Sequence, residues 1–161
     1  MPQTDSPIEL FVKQFYYELG IATPGQLDIY KIAREIGLEV ILHPALSFRW
    51  DGILVIRGGT KQQNWQRFGH EICHYLRHCG DQRFMHELFV ELQEYQATHF
   101  AYHFCVPSFM LDRIRLPPEL PRAAALVAEL FNVELSFAEK RMARYHQKLL
   151  GASLEKSLFY N

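Results

Sequence analysis

The segment His70-Glu71-Ile72-Cys73-His74 constrains this chain more than any other. Two imidazoles can converge on one ion only if the backbone holds them on the same side. An α-helix does this for residues four apart, leaving their Cβ atoms about 5–6 Å from each other. The segment is therefore expected to be helical, and a second element must pass close enough to supply a further ligand. Glu71 follows the first histidine directly, so it lies beside such an ion without having to bind it. There it can take a proton from a water whose acidity the ion has raised. Phe68, Ile72 and Leu76 are available to anchor the other face of the same helix. In a chain with 8 histidines the pattern arises by chance with a probability of roughly a few per cent. The competing reading is a solvated polar helix face.

A catalytic zinc needs a third protein ligand and an open position. Glu87, Glu91 and Glu94 recur on one helical face downstream, and spacing alone does not choose among them. His78 continues the motif helix beyond His74 but lies a further turn away, too far to close a tetrahedron. His99 and His103 form a second pair at helical spacing without a glutamate in the motif position, and read as surface or packing histidines. Arg77 and Gly80 occupy the positions where a metzincin needs glycine and histidine, which sets that pattern aside.

The whole chain suits one domain. Its 161 residues can bury a core without disulfides, and 48% hydrophobic with 22% charged residues is ordinary globular composition. A net charge of -1 provides no broad field for nucleic acid or an anionic membrane. Asp5 and Glu9 replace the basic start of a signal peptide, and no apolar run reaches the roughly 18–20 residues that span a bilayer. Cys73, Cys79 and Cys105 follow no C-x-x-C spacing, so reduced thiols and a cytoplasmic location are expected.

Periodicity predicts a helix from Pro7 to Leu19 ended by Gly20, and another from Gln26 to Ile36 ended by Gly37. Leu38–Leu42 and Ile53–Ile56 are short branched runs bounded by Gly or Pro and read as strands. The motif helix is expected over Lys61–Arg77, with Cys79-Gly80-Asp81 as the break. The next runs from Arg83 to Cys105 and stops before Pro107. After a connector marked by Pro117, Pro118 and Pro121, helices are expected over Arg122–Phe131 and Ser136–Leu150, with Ser136 as N-cap. The fold class is α+β: a helix-rich, zincin-like single domain with a small, mostly antiparallel sheet preceding the metal-binding helix. Residues 1–60 hold the N-terminal helices and sheet, 61–107 the catalytic helices and 108–161 the C-terminal helices.

Two stretches resemble the ImmA/IrrE family of metallo-endopeptidases. Arg67-Phe68-Gly69-His70-Glu71-Ile72-Cys73-His74-Tyr75-Leu76 is similar to the family's R-x-R-F-x-x-A-H-E-x-G-H core in its phenylalanine and its metal motif. Glu94-Tyr95-Gln96-Ala97-Thr98-His99-Phe100-Ala101, running on to Pro107, resembles the family's E-x-[EQ]-A-[ND]-x-F-A followed by an apolar run and proline. The resemblance implies zinc held by His70, His74 and Glu94, with Glu71 catalytic. It departs in two places: Cys73 stands where the family has glycine, and Thr98 where it has Asn or Asp. Cys73 reads as a small core residue. Thr98 lies one turn from Glu94, where a hydrogen bond from outside the ligand set would orient the site.

The expected reaction is peptide hydrolysis, with Tyr75, His78, Tyr102 and His103 as candidate oxyanion donors. Gly52–Arg57 is a candidate edge strand for an extended substrate. The resemblance further implies a protein substrate, a separate helix-turn-helix repressor whose cleavage releases genes of a mobile element or a stress response. Two alternatives remain in view. One is a regulator that binds metal and a repressor without cutting it. The other is direct DNA binding through the C-terminal helices, where Lys140, Arg141, Arg144 and Lys148 cluster but Glu129, Glu134 and Glu139 interrupt.

Overall fold

The computed structural model describes residues 5–78 and 80–159, of which 155–159 are described as helical backbone only. Cys79, placed by the sequence reading in the break after the motif helix, lies outside the described residues. Helix α1 (Pro7–Glu18) starts on a capping box. Ser6 Oγ accepts from the Glu9 amide at 3.4 Å, and the Ser6 amide donates to Glu9 Oε2 at 2.7 Å. Helix α2 (Ile29–Glu35) begins later than periodicity suggested, because Asp28 caps it by accepting from the Lys31 amide. A single 3-10 turn at Pro24–Gln26 precedes it.

The sheet has three strands, β1 (Glu39–His43), β2 (Phe48–Trp50) and β3 (Ile53–Arg57), in the order β1-β3-β2. β3 runs parallel to β1 and antiparallel to β2, so the sheet is mixed and the expected mostly antiparallel arrangement is corrected. The reason lies in β3 itself. Leu54, Val55 and Ile56 are buried in succession, a pattern that requires cover on both faces and suits a strand paired on both sides. β2 runs back along the outside and turns at Asp51-Gly52, where both residues take positive φ (42° and 78°), as a two-residue hairpin demands. Because β3 is central, the expectation that Gly52–Arg57 offers a free edge to substrate is overturned; β2 is the edge on that side.

Helix α3 (Lys61–Arg77) carries the motif between a Thr60 cap and His78. Helix α4 (Glu87–Cys105) follows after a 3-10 turn at Gln82–Phe84, with His86 Nδ1 accepting from the Leu88 amide. Helices α3 and α4 form an antiparallel hairpin whose inner faces set Trp65, Phe68, Ile72 and Cys73 against Ala97, Phe100, Ala101 and Phe104, all buried. Gly69 is the point of closest approach. A Cβ there would stand 2.7 Å from Cys105 Sγ and 3.6 Å from the Ala101 Cα.

A single turn, α5 (Ser108–Leu111), leads to α6 (Leu120–Leu130) and α7 (Leu135–Phe159). The expected cap, Ser136, is the second residue of α7. Glu134 opens that helix instead, its carbonyl accepting from the Ala138 amide, because Gln63 and Gln66 of α3 pin its carboxylate at 3.1 and 2.9 Å. Further along, Arg141 is 1% exposed and donates to the Val106 carbonyl and to Ser108 Oγ, at 3.0 and 2.7 Å. Ser108 in turn bonds to Glu9, which Lys148 also meets at 2.8 Å. The C-terminal helix is thereby locked to α1 and to the end of α4.

Gly69→Val is expected to lower folding stability by about 1–3 kcal/mol, since the added methyls must push α3 off Cys105. Urea unfolding followed by circular dichroism reads this, and an unchanged midpoint would refute the close contact. Burial lowers the pKa of His103 to about 3, with the nearby Arg141 and His99 adding to the shift. Among the described residues its Nδ1 has no hydrogen-bond partner. Unfolded, the ring titrates near 6.5, so between those values the unfolded chain binds the extra proton and stability falls as pH drops. Between pH 6.5 and pH 5 the loss is at most about 2 kcal/mol, and His103→Leu is expected to remove it from the urea midpoints.

Candidate metal centre

His70 and His74 project from the same side of α3, and Glu94 faces them from the first half of α4. Their ligand atoms form a tight cluster. His70 Nε2 lies 3.0 Å from Glu94 Oε2 and 3.2 Å from His74 Nε2, and His74 Nε2 lies 3.2 Å from Glu94 Oε1. Four ligands around an ion at about 2.0–2.1 Å in a tetrahedron stand roughly 3.3 Å apart, so the cluster has the edge lengths of that polyhedron. The donor set fits as well: two borderline nitrogens and one hard oxygen suit a first-row divalent ion. Among the described residues this is the one group of three His, Cys, Asp or Glu whose ligand atoms meet within 4.8 Å. Of the three glutamates the sequence left open, Glu94 is the one that arrives; Glu87 and Glu91 are exposed on α4.

Electrostatics prepare the donors. Burial holds His74 neutral, lowering its pKa to about 4 against the pull of Glu94. Burial works against the Glu94 carboxylate, but a hydrogen bond from Gln82 Nε2 at 3.0 Å, with His74 and His70 beside it, outweighs that and keeps its pKa below the usual range. Glu71 differs. Burial pushes its carboxyl above the usual range, opposed by His70 and Arg49 and reinforced by Glu94. Its proton affinity is raised where that of Glu94 is lowered.

Orientation of the ligands comes from residues that spacing did not reveal. With Nε2 of His74 left bare for a cation, its proton sits on Nδ1 and is donated to His78 Nδ1 at 2.9 Å. His78 then carries its proton on Nε2 and donates it to Gln96 Oε1 at 3.0 Å. Thus His78, a candidate oxyanion donor by sequence, has both ring nitrogens engaged in fixing His74. Gln82 escaped notice because it reaches Glu94 from the turn between the helices, whose path no periodicity encodes. Thr98 is exposed and its side chain makes no hydrogen bond to the side chain of Glu94 or of either histidine, so the expected orienting role falls to Gln82. Cys73 is buried and free, its pKa raised to about 11 by burial, as a small core residue should be.

The three residues open into a cleft of about 870 Å³ between β2 and the α3–α4 turn. Glu71 and Tyr75 line it, together with Phe48, Arg49 and Trp50 from β2. Tyr102 and His103 do not. Tyr102 packs on Phe137 with a ring separation of 4.5 Å, and His103 is buried beside His99, so neither reaches the centre as an oxyanion donor.

The profile of the IrrE N-terminal-like domain, a peptidase family, matches residues 26–143. The chain is 38% identical over 160 residues to the phage-like element PBSX protein XkdA of Bacillus subtilis, covering 96% of this chain and 81% of that protein. It is 34% identical over 154 residues to the B. subtilis protein YqaB, described as uncharacterized, covering 92% of this chain and 90% of the other. No solved structure gives a significant match. No described helix is long and apolar enough to cross a membrane.

Replacing His78 with Ala frees the His74 ring, and divalent-metal affinity is expected to fall about 10–100-fold. His70→Ala or Glu94→Ala should abolish tight binding altogether. Competition with a chromophoric chelator measures all three. Equal affinity of His78→Ala and wild type would show that the His74–His78–Gln96 chain does not orient the ligand.

Proposed function

This chain belongs to the IrrE N-terminal-like peptidase family, whose members are metallopeptidases, and from that premise we propose that it is a zinc-dependent endopeptidase. The observation that supports this most directly is the set of 3.0–3.2 Å separations among His70, His74 and Glu94, with Glu71 in the same cleft. Zinc, when held by these three residues, acidifies a water and polarises the scissile carbonyl. Glu71 accepts the proton of the attacking water and passes it to the leaving amine. Burial raises its proton affinity, which favours carrying the proton between those two events, and it stands outside the proposed ligand set. His78, through His74, and Gln82, through Glu94, keep the ligand atoms fixed meanwhile.

Substrate chemistry follows from the cleft's wall. β2 is an edge strand with one unpaired side over the centre, so an extended peptide can add there by backbone hydrogen bonds. Trp50 is 72% exposed and Phe48 49% exposed on the same strand, offering apolar cover to substrate side chains. The substrate we infer is a separate protein, a helix-turn-helix repressor, whose cutting derepresses genes of a mobile element or stress response. Similarity to a protein of a phage-like element supports that setting.

Direct DNA reading by α6 and α7 is disfavoured. Arg141 is buried, Arg144 sits 4.6 Å over the Tyr102 ring and Lys148 is engaged by Glu9, so three of the four clustered cations already have partners within the protein. A non-cutting regulator is also disfavoured, because Gln82 supplies the orientation that Thr98 does not.

Glu71→Gln should retain one zinc per chain while cleavage of the cognate repressor falls about 10²–10⁴-fold. Elemental analysis beside a gel-based cleavage assay reads both, and a fully active Glu71→Gln protein would sink the mechanism.

A further inference from the structure

Hydrolysis at this centre leaves one requirement unfilled by the residues described so far. When the water oxygen adds to the carbonyl carbon, the C=O π pair moves onto the carbonyl oxygen, and that oxyanion needs a donor. On collapse the C=O bond reforms, the C–N bond breaks and the amine departs with the proton held by Glu71. Resting on the peptidase reading, we propose that Arg49 of β2 is the donor, a catalytic residue whose guanidinium binds the developing oxyanion.

The sheet aims the side chain. Arg49 lies directly opposite Leu54 in the β2–β3 register, and residues opposite one another share a face of the sheet. Leu54 is fully buried in the core that includes Phe68 and Ile72 of α3, so Arg49 projects from the edge toward the metal helix. Phe48 and Trp50, opposite Val55 and Ile53, take the other face. Arg49 lines the cleft together with His70, Glu71 and His74.

Its lack of a partner is informative. The cleft's other arginine, Arg83, is held by Asp81 at 2.6 Å. Arg49 makes no hydrogen bond or ion pair with any described residue. A guanidinium beside a site built for a dication is repelled by it at rest. An anion that forms between the two is attracted by both, and the reaction generates one there. Interactions that strengthen as charge develops are those that accelerate the chemical step. The remaining candidates are weaker: His78 has both nitrogens occupied, Tyr102 and His103 lie outside the cleft, and Tyr75 brings a neutral hydroxyl.

The test uses the full chain loaded with cobalt(II), whose visible absorption reports both metal uptake and changes around the ion. Inorganic phosphate serves as the probe, a tetrahedral oxyanion standing in for the reacting carbon and its oxygens. Wild type, Arg49→Met, Arg49→Lys and Tyr75→Phe are titrated. The expected result is equal cobalt uptake by all four and phosphate binding weakened about tenfold or more in Arg49→Met. Arg49→Lys should be partly restored, and Tyr75→Phe should match wild type. Phosphate binding unchanged in Arg49→Met, lost instead in Tyr75→Phe, or absent from cobalt-loaded wild type would overturn the assignment while leaving the metal site standing. Failure of wild type to take up cobalt would overturn the peptidase reading and this inference with it.

Discussion

The close contact of α3 and α4 at Gly69 is the constraint on which the rest of this structure depends. Two helices carrying ordinary side chains at their crossing stand about 8–10 Å apart. Here the crossing is made of Gly69 against Ala101 and Cys105, and any larger residue at Gly69 would meet the opposing sulfur. Only a short distance along the hairpin, Glu94 must bring its oxygens to 3.0 and 3.2 Å from the two histidines. A glutamate side chain is short, and the separation of the helices decides whether it arrives. Gly69 therefore acts on the chemistry although it touches none of it. The aromatic cluster around Phe104 holds the same crossing from behind. Trp65, Phe68 and Phe100 pack on its ring, and Tyr16 donates its hydroxyl to its carbonyl at 2.7 Å.

Electrostatics at the centre follow from unequal burial of residues on the two facing helices. His74 is driven neutral by its surroundings and Glu94, nearer solvent, stays ionised, which are the states that bind a divalent ion. Glu71 is deeper, and burial raises its proton affinity above that of an ordinary carboxyl. Glu71 and Glu94 thus have proton affinities pushed in opposite directions by their surroundings, the arrangement expected where one site must both hold charge and move a proton. Arg49 opposes the burial of Glu71 from across the cleft.

How much of this was legible in the sequence depends on whether the information was periodic. The motif helix was readable to its ends, Lys61 and Arg77, because helical spacing, the Thr60 cap and the following break agree. The pairing of β3 with both neighbours was not, since Leu54-Val55-Ile56 signals burial without saying which strand runs beside it. β2 was missed although Asp51-Gly52 announces a hairpin turn, because a three-residue exposed strand carries no alternation of its own. With β2 went Arg49 and the sheet edge that borders the cleft. Ser136 failed as a cap for a non-local reason: Gln63 and Gln66, a whole hairpin away in sequence, fix Glu134 and so decide where α7 begins. The choice of Glu94 over Glu87 and Glu91 was available from family resemblance and not from spacing, which treats all three alike.

Thr98 shows how a site can tolerate the loss of a motif residue. Where a carboxamide or carboxylate is usual, threonine is too short to reach the centre, and here it faces solvent. The orienting bond to Glu94 comes instead from Gln82, on a turn whose position is set by the Asp81–Arg83 pair and by the start of α4. The second orienting chain, from His74 through His78 to Gln96, lies wholly on the two helices and does not involve Thr98 at all. Each of the two ligands Glu94 and His74 therefore has its own support, anchored in different places. A change at residue 98 removes neither, and the separations among the ligand atoms remain those of a tetrahedral site. The departure from the family pattern bears on how the ligands are braced and leaves intact the geometry on which hydrolysis would run.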